Sequence, residues 1–336
     1  MKKQLLTFSS CALLLACAST PEQPKAASAP IISAPTTSAS TSSWDNSYGG
    51  VDKSYDTTLL KMRSEMASKF QQLTYQDRVT GRSMAYNLYI PKGYTPSKRY
   101  PLIMFIADAS TVGKGVKAPL MQGYGGIIWA TEASQAKHPA FVLVPAFAGP
   151  QSGTNDNWQV SDEVGMANRL LKDTVARYQI DHDRVYATGQ SMGGMISFYL
   201  NTTEPDLFAA SMFVGSQWDI KVLSPLAHQR FLYIVSAADP KASVGMKELG
   251  GLLTSLGTKY GETEFSASLP QAEQNALTQK LLDKGLPINF IRFSPATVAP
   301  KEYQTNPKMF EHMYSFDHAY LLEPARDWLL KQSREK

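Results

Sequence analysis

The sequence predicts an α/β domain, a doubly wound and mostly parallel sheet with helices on both faces. Three observations predict it. Six short runs rich in β-branched and aromatic residues are bounded by turn residues and are too continuously apolar to carry a solvated face. Amphipathic segments lie between several of them, and strands alternating with helices build a parallel sheet. At Val185-Tyr-Ala-Thr-Gly-Gln-Ser-Met-Gly-Gly194 a strand-like run meets a helix-compatible one across glycines, as needed where strand and helix pass closely.

The chain has 336 residues, enough for one large domain with a sizeable core. Met1-Lys-Lys-Gln precedes an apolar run from Leu5 to Ala16, too short for a permanent span, which reads as a secretory signal over 1–17. Its end, Leu14-Leu-Ala-Cys17, resembles the lipobox of bacterial lipoproteins. That resemblance implies lipidation of Cys17 and a place in the bacterial cell envelope. Ala18 follows, rather than aspartate, which favours the outer membrane. The chain's two cysteines, Cys11 and Cys17, both fall here, so no disulfide is expected in the folded domain. Two of the four net positive charges are Lys2 and Lys3; the near-neutral remainder argues against nucleic acid as a partner. Residues 18–50, rich in Ser, Thr, Ala and Pro, read as a flexible tether, leaving 51–336 as a single domain. Membrane contact is expected through the lipid anchor only.

Within the domain, Asp56–Phe70 reads as a helix, and Gln72–Asp77 with Met84–Ile90 as a hairpin. The buried strands are expected at Leu102–Ala107, Phe141–Val144, Arg184–Thr188, Ser211–Val214, Phe231–Ser236 and Ile288–Phe293. Helices are expected at Val164–Tyr178, Met195–Thr202, Val244–Leu256, Gln271–Lys284 and Tyr320–Lys331, whose Leu321, Ala325, Trp328 and Leu329 share one face.

Gly189-Gln-Ser-Met-Gly193 has the pattern of a nucleophile elbow, a sharp turn that would expose the Ser191 hydroxyl above the sheet. The Met192 N–H, at the helix start, would face an anion formed beside it. A serine hydroxyl needs a base, and the base needs an orienting group. Asp239, in Ser236-Ala-Ala-Asp239-Pro240 after a strand, is the acid candidate, with Asp219 as runner-up. His312, in a loop before the closing helix, is preferred as base over His318, which would begin that helix. The six-residue spacing puts the two histidines on different helix faces, against a zinc pair, and no metal or cofactor is expected. A second oxyanion donor is expected from the backbone of Asp108 or Ala109, after Leu102–Ala107. Gln190, Gln217 and Trp218 are candidates for the substrate pocket. Gly123-Tyr-Gly-Gly126 is spaced loosely like a nucleotide loop, but no strand immediately precedes it and no lysine follows.

With these residues placed, the chain resembles the α/β-hydrolase superfamily. Tyr178-Gln-Ile-Asp-His-Asp-Arg-Val-Tyr-Ala-Thr-Gly-Gln-Ser-Met-Gly-Gly194, Tyr86-Asn-Leu-Tyr-Ile-Pro91 and Glu311-His-Met-Tyr-Ser-Phe are similar to secreted bacterial esterases of the polyhydroxybutyrate-depolymerase and feruloyl-esterase type, and to prolyl-oligopeptidase-like hydrolases. The likeness runs over roughly residues 75–332 and implies the α/β-hydrolase fold and the base role at His312. It implies a serine hydrolase cleaving small or polymeric carboxylic esters through a Ser-His-Asp triad and an acyl-enzyme. Peptidase action on small peptides is the alternative within the same chemistry. Such esterases show His-Gly where this chain has Ala107-Asp108, so Asp108 is expected to strain the loop and weaken the oxyanion site. A catalytically weak binding lipoprotein is therefore the alternative outside it.

Overall fold

A computed structural model of the chain describes residues 44–304 and 306–334. The secretory signal, Cys17 and most of the expected tether lie outside the described residues. At the tether's far end the structure differs from expectation, because residues 44–50 pack on the domain. Trp44 is buried with the Arg63 guanidinium 4.2 Å over its ring, Asp45 caps the turn Asn46–Tyr48, and the Gly50 N–H donates to Ser110 Oγ. One tryptophan supplies the apolar surface that the polar stretch otherwise lacks, so residues 44–50 belong with the domain rather than with the tether.

The strands are β1 (Gln71–Gln76), β2 (Ser83–Tyr89), β3 (Tyr100–Ile106), β4 (Phe141–Pro145), β5 (Ile180–Gln190), β6 (Ala210–Val214), β7 (Phe231–Ser236), β8 (Gly261–Phe265) and β9 (Ile288–Phe293). Among the described residues they form one sheet in the order β1-β2-β4-β3-β5-β6-β7-β9-β8. The hairpin β1–β2 is antiparallel, β2 joins β4 antiparallel, and every pairing from β4 to β8 is parallel. The helices are α1 (Thr57–Ala67), α2 (Ala118–Met121), α3 (Glu132–Lys137), α4 (Asp162–Arg177), α5 (Met192–Thr203), α6 (Ala242–Ser255), α7 (Gln271–Leu282), α8 (Pro307–Met313), α9 (Ser315–Leu321) and α10 (Glu323–Lys331).

Alternation along the strands divides the core. Ile103 and Phe105 of β3 join Val142 and Val144 in the layer that packs α1, α7, α9 and α10. Leu102, Met104 and Ile106 face the other way with Phe141 and Leu143, against α4 and α5, while α6 covers β7 and β9 on that side. Every residue of β3, β4, β6 and β7 is buried, as strands covered on both faces require.

Two departures from the sequence reading lie away from the elbow. The strand β8, Gly261-Glu-Thr-Glu-Phe265, is an edge strand whose outward Glu262 and Glu264 face Arg292 of β9, so its composition hides it. The closing helix is two helices, broken at Leu322. Pro324 has no N–H and its ring would meet the carbonyl four residues back, so a continuous turn cannot pass through it. That carbonyl, Tyr320 O, instead accepts from the Arg326 guanidinium.

Candidate active site

Chain geometry at the end of β5 sets the site. Ser191 has φ 51° and ψ −118°, a left-handed conformation that costs a non-glycine residue about 1–3 kcal/mol. The surroundings enforce it. A Cβ at Gly189 would overlap the Gly193 carbonyl, one at Gly193 would overlap Ile106 O, and one at Gly194 would overlap the Ser216 side chain. The Ser191 N–H is held by Val214 O of β6 at 3.0 Å.

The side chains that sequence reasoning selected from distant parts of the chain meet here. His312 Nε2 lies 2.8 Å from Ser191 Oγ, and His312 Nδ1 lies 2.6 Å from Asp239 Oδ2. The other carboxylate oxygen of Asp239 accepts the N–H groups of Lys241 and Ala242 at the start of α6. Burial alone would push the Asp239 carboxyl up, but the hydrogen bond and charge of His312, with those two N–H groups, outweigh it and hold the carboxyl below its usual range. Asp239 is buried and stays an anion facing the imidazole.

His312 does not sit in the expected loop. It lies in the short helix α8, fixed by a residue that sequence reasoning gave no role. The buried Glu311 accepts the Ala296 N–H at 2.6 Å and the Ser236 hydroxyl, which pins α8 to the end of β7 and to the segment after β9. The signal that could have found it is a glutamate beside the candidate histidine in an otherwise apolar run. Phe316 packs edge-on against the imidazole at 5.0 Å.

Other candidates fall elsewhere. The Asp219 carboxylate caps the turn Ile220–Val222. His318 is partly buried, with Nε2 on Val298 O, and its burial pushes the imidazole below its usual range. Met192 is the first residue of α5, and Asp108 leads into the turn Ala109–Thr111; N–H groups at such starts have no intrahelical acceptor. Close contact of Gly193 with Ile106 sets this loop against the first turn of α5. Asp108 is not strained, contrary to expectation, because φ −76° and ψ 170° is ordinary extended backbone. Its carboxylate turns inward, accepting the Ser110 N–H and the Gln190 and Gln122 amides.

A cleft of about 470 Å³ opens at Ser191 and His312, lined by Met195, Met309, Met313 and Pro240, with Gln217, Asp156 and Lys241 on its polar side. Of the three pocket candidates, Gln217 lines this cleft. Gln190 does not, being buried beneath the elbow with its amide on Asp108. Trp218 is buried behind the cleft wall, edge-on to Trp158 and Tyr199, so its role is packing. Among the described residues no group of three or more His, Cys, Asp or Glu side chains is arranged to hold a metal ion.

Sheet order and elbow together define the α/β-hydrolase fold. A solved thermostable esterase superposes with a TM-score of 0.61 at 21% identity, over 80% of this chain and 64% of that one. A CE1 ferulic acid esterase from the anaerobic fungus Anaeromyces mucronatus gives 0.47 at 14% identity, over 75% and 91%. More narrowly, residues 78–246 match the Esterase family, described as "Putative esterase", and the chain belongs to that family. A curated relative, "Putative esterase NocK" of Nocardia uniformis subsp. tsuyamanensis, is 29% identical over 148 residues, 41% of this chain and 40% of the relative. The chain thus spans less than half of that relative's length and 64% of the thermostable esterase's.

Proposed function

We propose that the protein is a serine hydrolase that cleaves carboxylic esters through an acyl-enzyme on Ser191. The observation that carries this is the unbroken hydrogen-bonded line from Ser191 Oγ to His312 to Asp239, at 2.8 and 2.6 Å. Ser191 Oγ attacks the acyl carbon while His312 Nε2 takes its proton. Asp239 holds Nδ1–H, fixing the tautomer with a free Nε2 lone pair and stabilising the imidazolium that forms. Collapse of the tetrahedral intermediate expels the alcohol, protonated by His312. Water, deprotonated by the same nitrogen, then releases the acid. The oxyanion is held by the Met192 N–H and by an N–H at Asp108 or Ala109. The methionine-lined cleft suits an apolar acyl or alcohol group, because thioether side chains adapt to irregular apolar shapes.

Family membership supports ester cleavage over peptide cleavage. The ordinary backbone at Asp108 favours this reading over a weakened binding protein. In the test, Ser191→Ala keeps the thermal midpoint and loses hydrolysis of a short p-nitrophenyl ester; equal rates in the two proteins would refute the proposal. We also propose lipid anchoring at Cys17 in the bacterial envelope, with the membrane touched only through that anchor. Metabolic labelling with a fatty-acid analogue, lost in Cys17→Ser, is expected; equal labelling of both would refute it.

A further inference from the structure

Beneath the elbow lies a buried polar cluster with no part in proton transfer. Asp108 Oδ1 accepts the Ser110 N–H at 2.8 Å, and Oδ2 accepts Gln190 Nε2 at 3.0 Å and Gln122 Nε2 at 2.5 Å. All three side chains are about 2% exposed. They come from three segments: the loop after β3, the last residue of β5 directly before Ser191, and the segment after α2. Gln122 Nε2 also reaches Ser110 Oγ at 2.7 Å, and its carbonyl accepts Lys53 Nζ at 3.1 Å. Lys53, equally buried, pairs with Asp317 Oδ2 at 2.7 Å.

The glycines after Gln122 permit this approach. A Cβ at Gly123 would overlap the Asp317 carboxylate, one at Gly125 the Phe105 ring, and one at Gly126 would press on Pro119 O. The spacing that loosely resembles a nucleotide loop is therefore steric in origin.

A buried carboxylate is tolerated only where donors satisfy it, and two acceptor oxygens are needed to take one N–H and two amides at once. We infer that Asp108 is a positioning residue for the oxyanion site. Through the Ser110 N–H it shapes the turn that presents the Asp108 and Ala109 N–H groups. Through Gln190 it ties that turn to the elbow carrying Ser191 and the Met192 N–H. The two halves of the oxyanion site follow different strands, β3 and β5, and this clamp fixes their separation. The inference rests on the proposed acyl transfer at Ser191 and deepens it.

Losing one oxyanion donor costs about 10²–10³ in kcat, and a displacement near 1 Å costs about 10²-fold. A displaced rather than deleted donor should fall at or below that range. The experiment compares wild type, Asp108→Ala, Asp108→Asn and Gln190→Met on a p-nitrophenyl ester, with competent serines counted by end-point fluorophosphonate titration. Asp108→Ala is expected to lower kcat per titrated site about 10- to 100-fold with KM within about threefold. Asp108→Asn keeps an acceptor for the Ser110 N–H and can meet reoriented glutamine amides, so it recovers most of that loss. Gln190→Met cuts the clamp at its other end with Asp108 intact, so it tests the proposal even if Asp108→Ala fails to fold; it is expected to lower kcat with the same split. Packing alone would give fewer titratable sites and unchanged kcat per site, which overturns the inference. A wild type that neither labels nor hydrolyses overturns the acyl-transfer reading and the clamp's role with it, whereas an active wild type with unaltered variants overturns the clamp alone.

Discussion

Replacing Glu311 by alanine removes the group that pins the histidine helix. In the structure its carboxylate accepts two hydrogen bonds, from the Ala296 N–H and the Ser236 hydroxyl, where β7, α8 and the segment after β9 meet; Glu311 and Ser236 are buried there and Ala296 is exposed. A hydrogen bond to a charged group contributes about 1.5–3 kcal/mol, so two lost together destabilise the fold by about 3–6 kcal/mol. Near 2–4 °C per kcal/mol for a domain of this size, the thermal midpoint should fall by at least about 6 °C. The same change frees α8 to move His312, and a displacement near 1 Å from Ser191 costs about 10²-fold in rate. Thermal unfolding with ester hydrolysis below the new midpoint reads both effects. Glu311→Gln keeps one acceptor and should recover part of each. A variant within 1 °C and twofold of wild type would refute the reasoning that this carboxylate positions the base.

Asp239→Asn keeps an oxygen for the Lys241 and Ala242 N–H groups but presents an amide to His312 Nδ1, which turns the imidazole to the tautomer with its proton on Nε2. Ester turnover should fall about 10⁴-fold, roughly 5 kcal/mol of barrier, and a loss under tenfold would contradict the orienting role. His318 gives a pH signature of stability, because burial, with Lys53 adding, lowers its pKa despite the opposing Val298 carbonyl, Asp317 and Asp56. Its unfolded form protonates as pH falls through about 6.5 while the folded form resists, so stability drops below that pH by at most about 1.4 kcal/mol per unit. His318→Gln should flatten the fall in thermal midpoint between pH 7 and 5; an unchanged slope would refute it.

The sheet and the elbow at Ser191 were legible because their signals are local. Fully buried strands read as apolar runs, and the glycines around Ser191 are dictated by contacts within the turn and its immediate neighbours. Asp239 was legible from its position just past a strand. The helix α8 was not, because what fixes it is tertiary: Glu311 reaches Ser236, 75 residues back in the chain, and Ala296, 15 residues back. β8 stayed hidden because an edge strand needs only one covered face, and Glu262 and Glu264 look like loop residues until Arg292 lies beside them. Asp108 looked like a liability in isolation; its donors come from Gln122 and Gln190, whose approach no local pattern reveals.

The rate at which a fluorophosphonate modifies Ser191, with the adduct located by peptide mass, tests the central claim most directly when compared between wild type and His312→Ala. The account predicts a single adduct on Ser191 and a rate about 10²–10⁴-fold lower without the imidazole. An adduct on another residue, or equal rates in the two proteins, would contradict it.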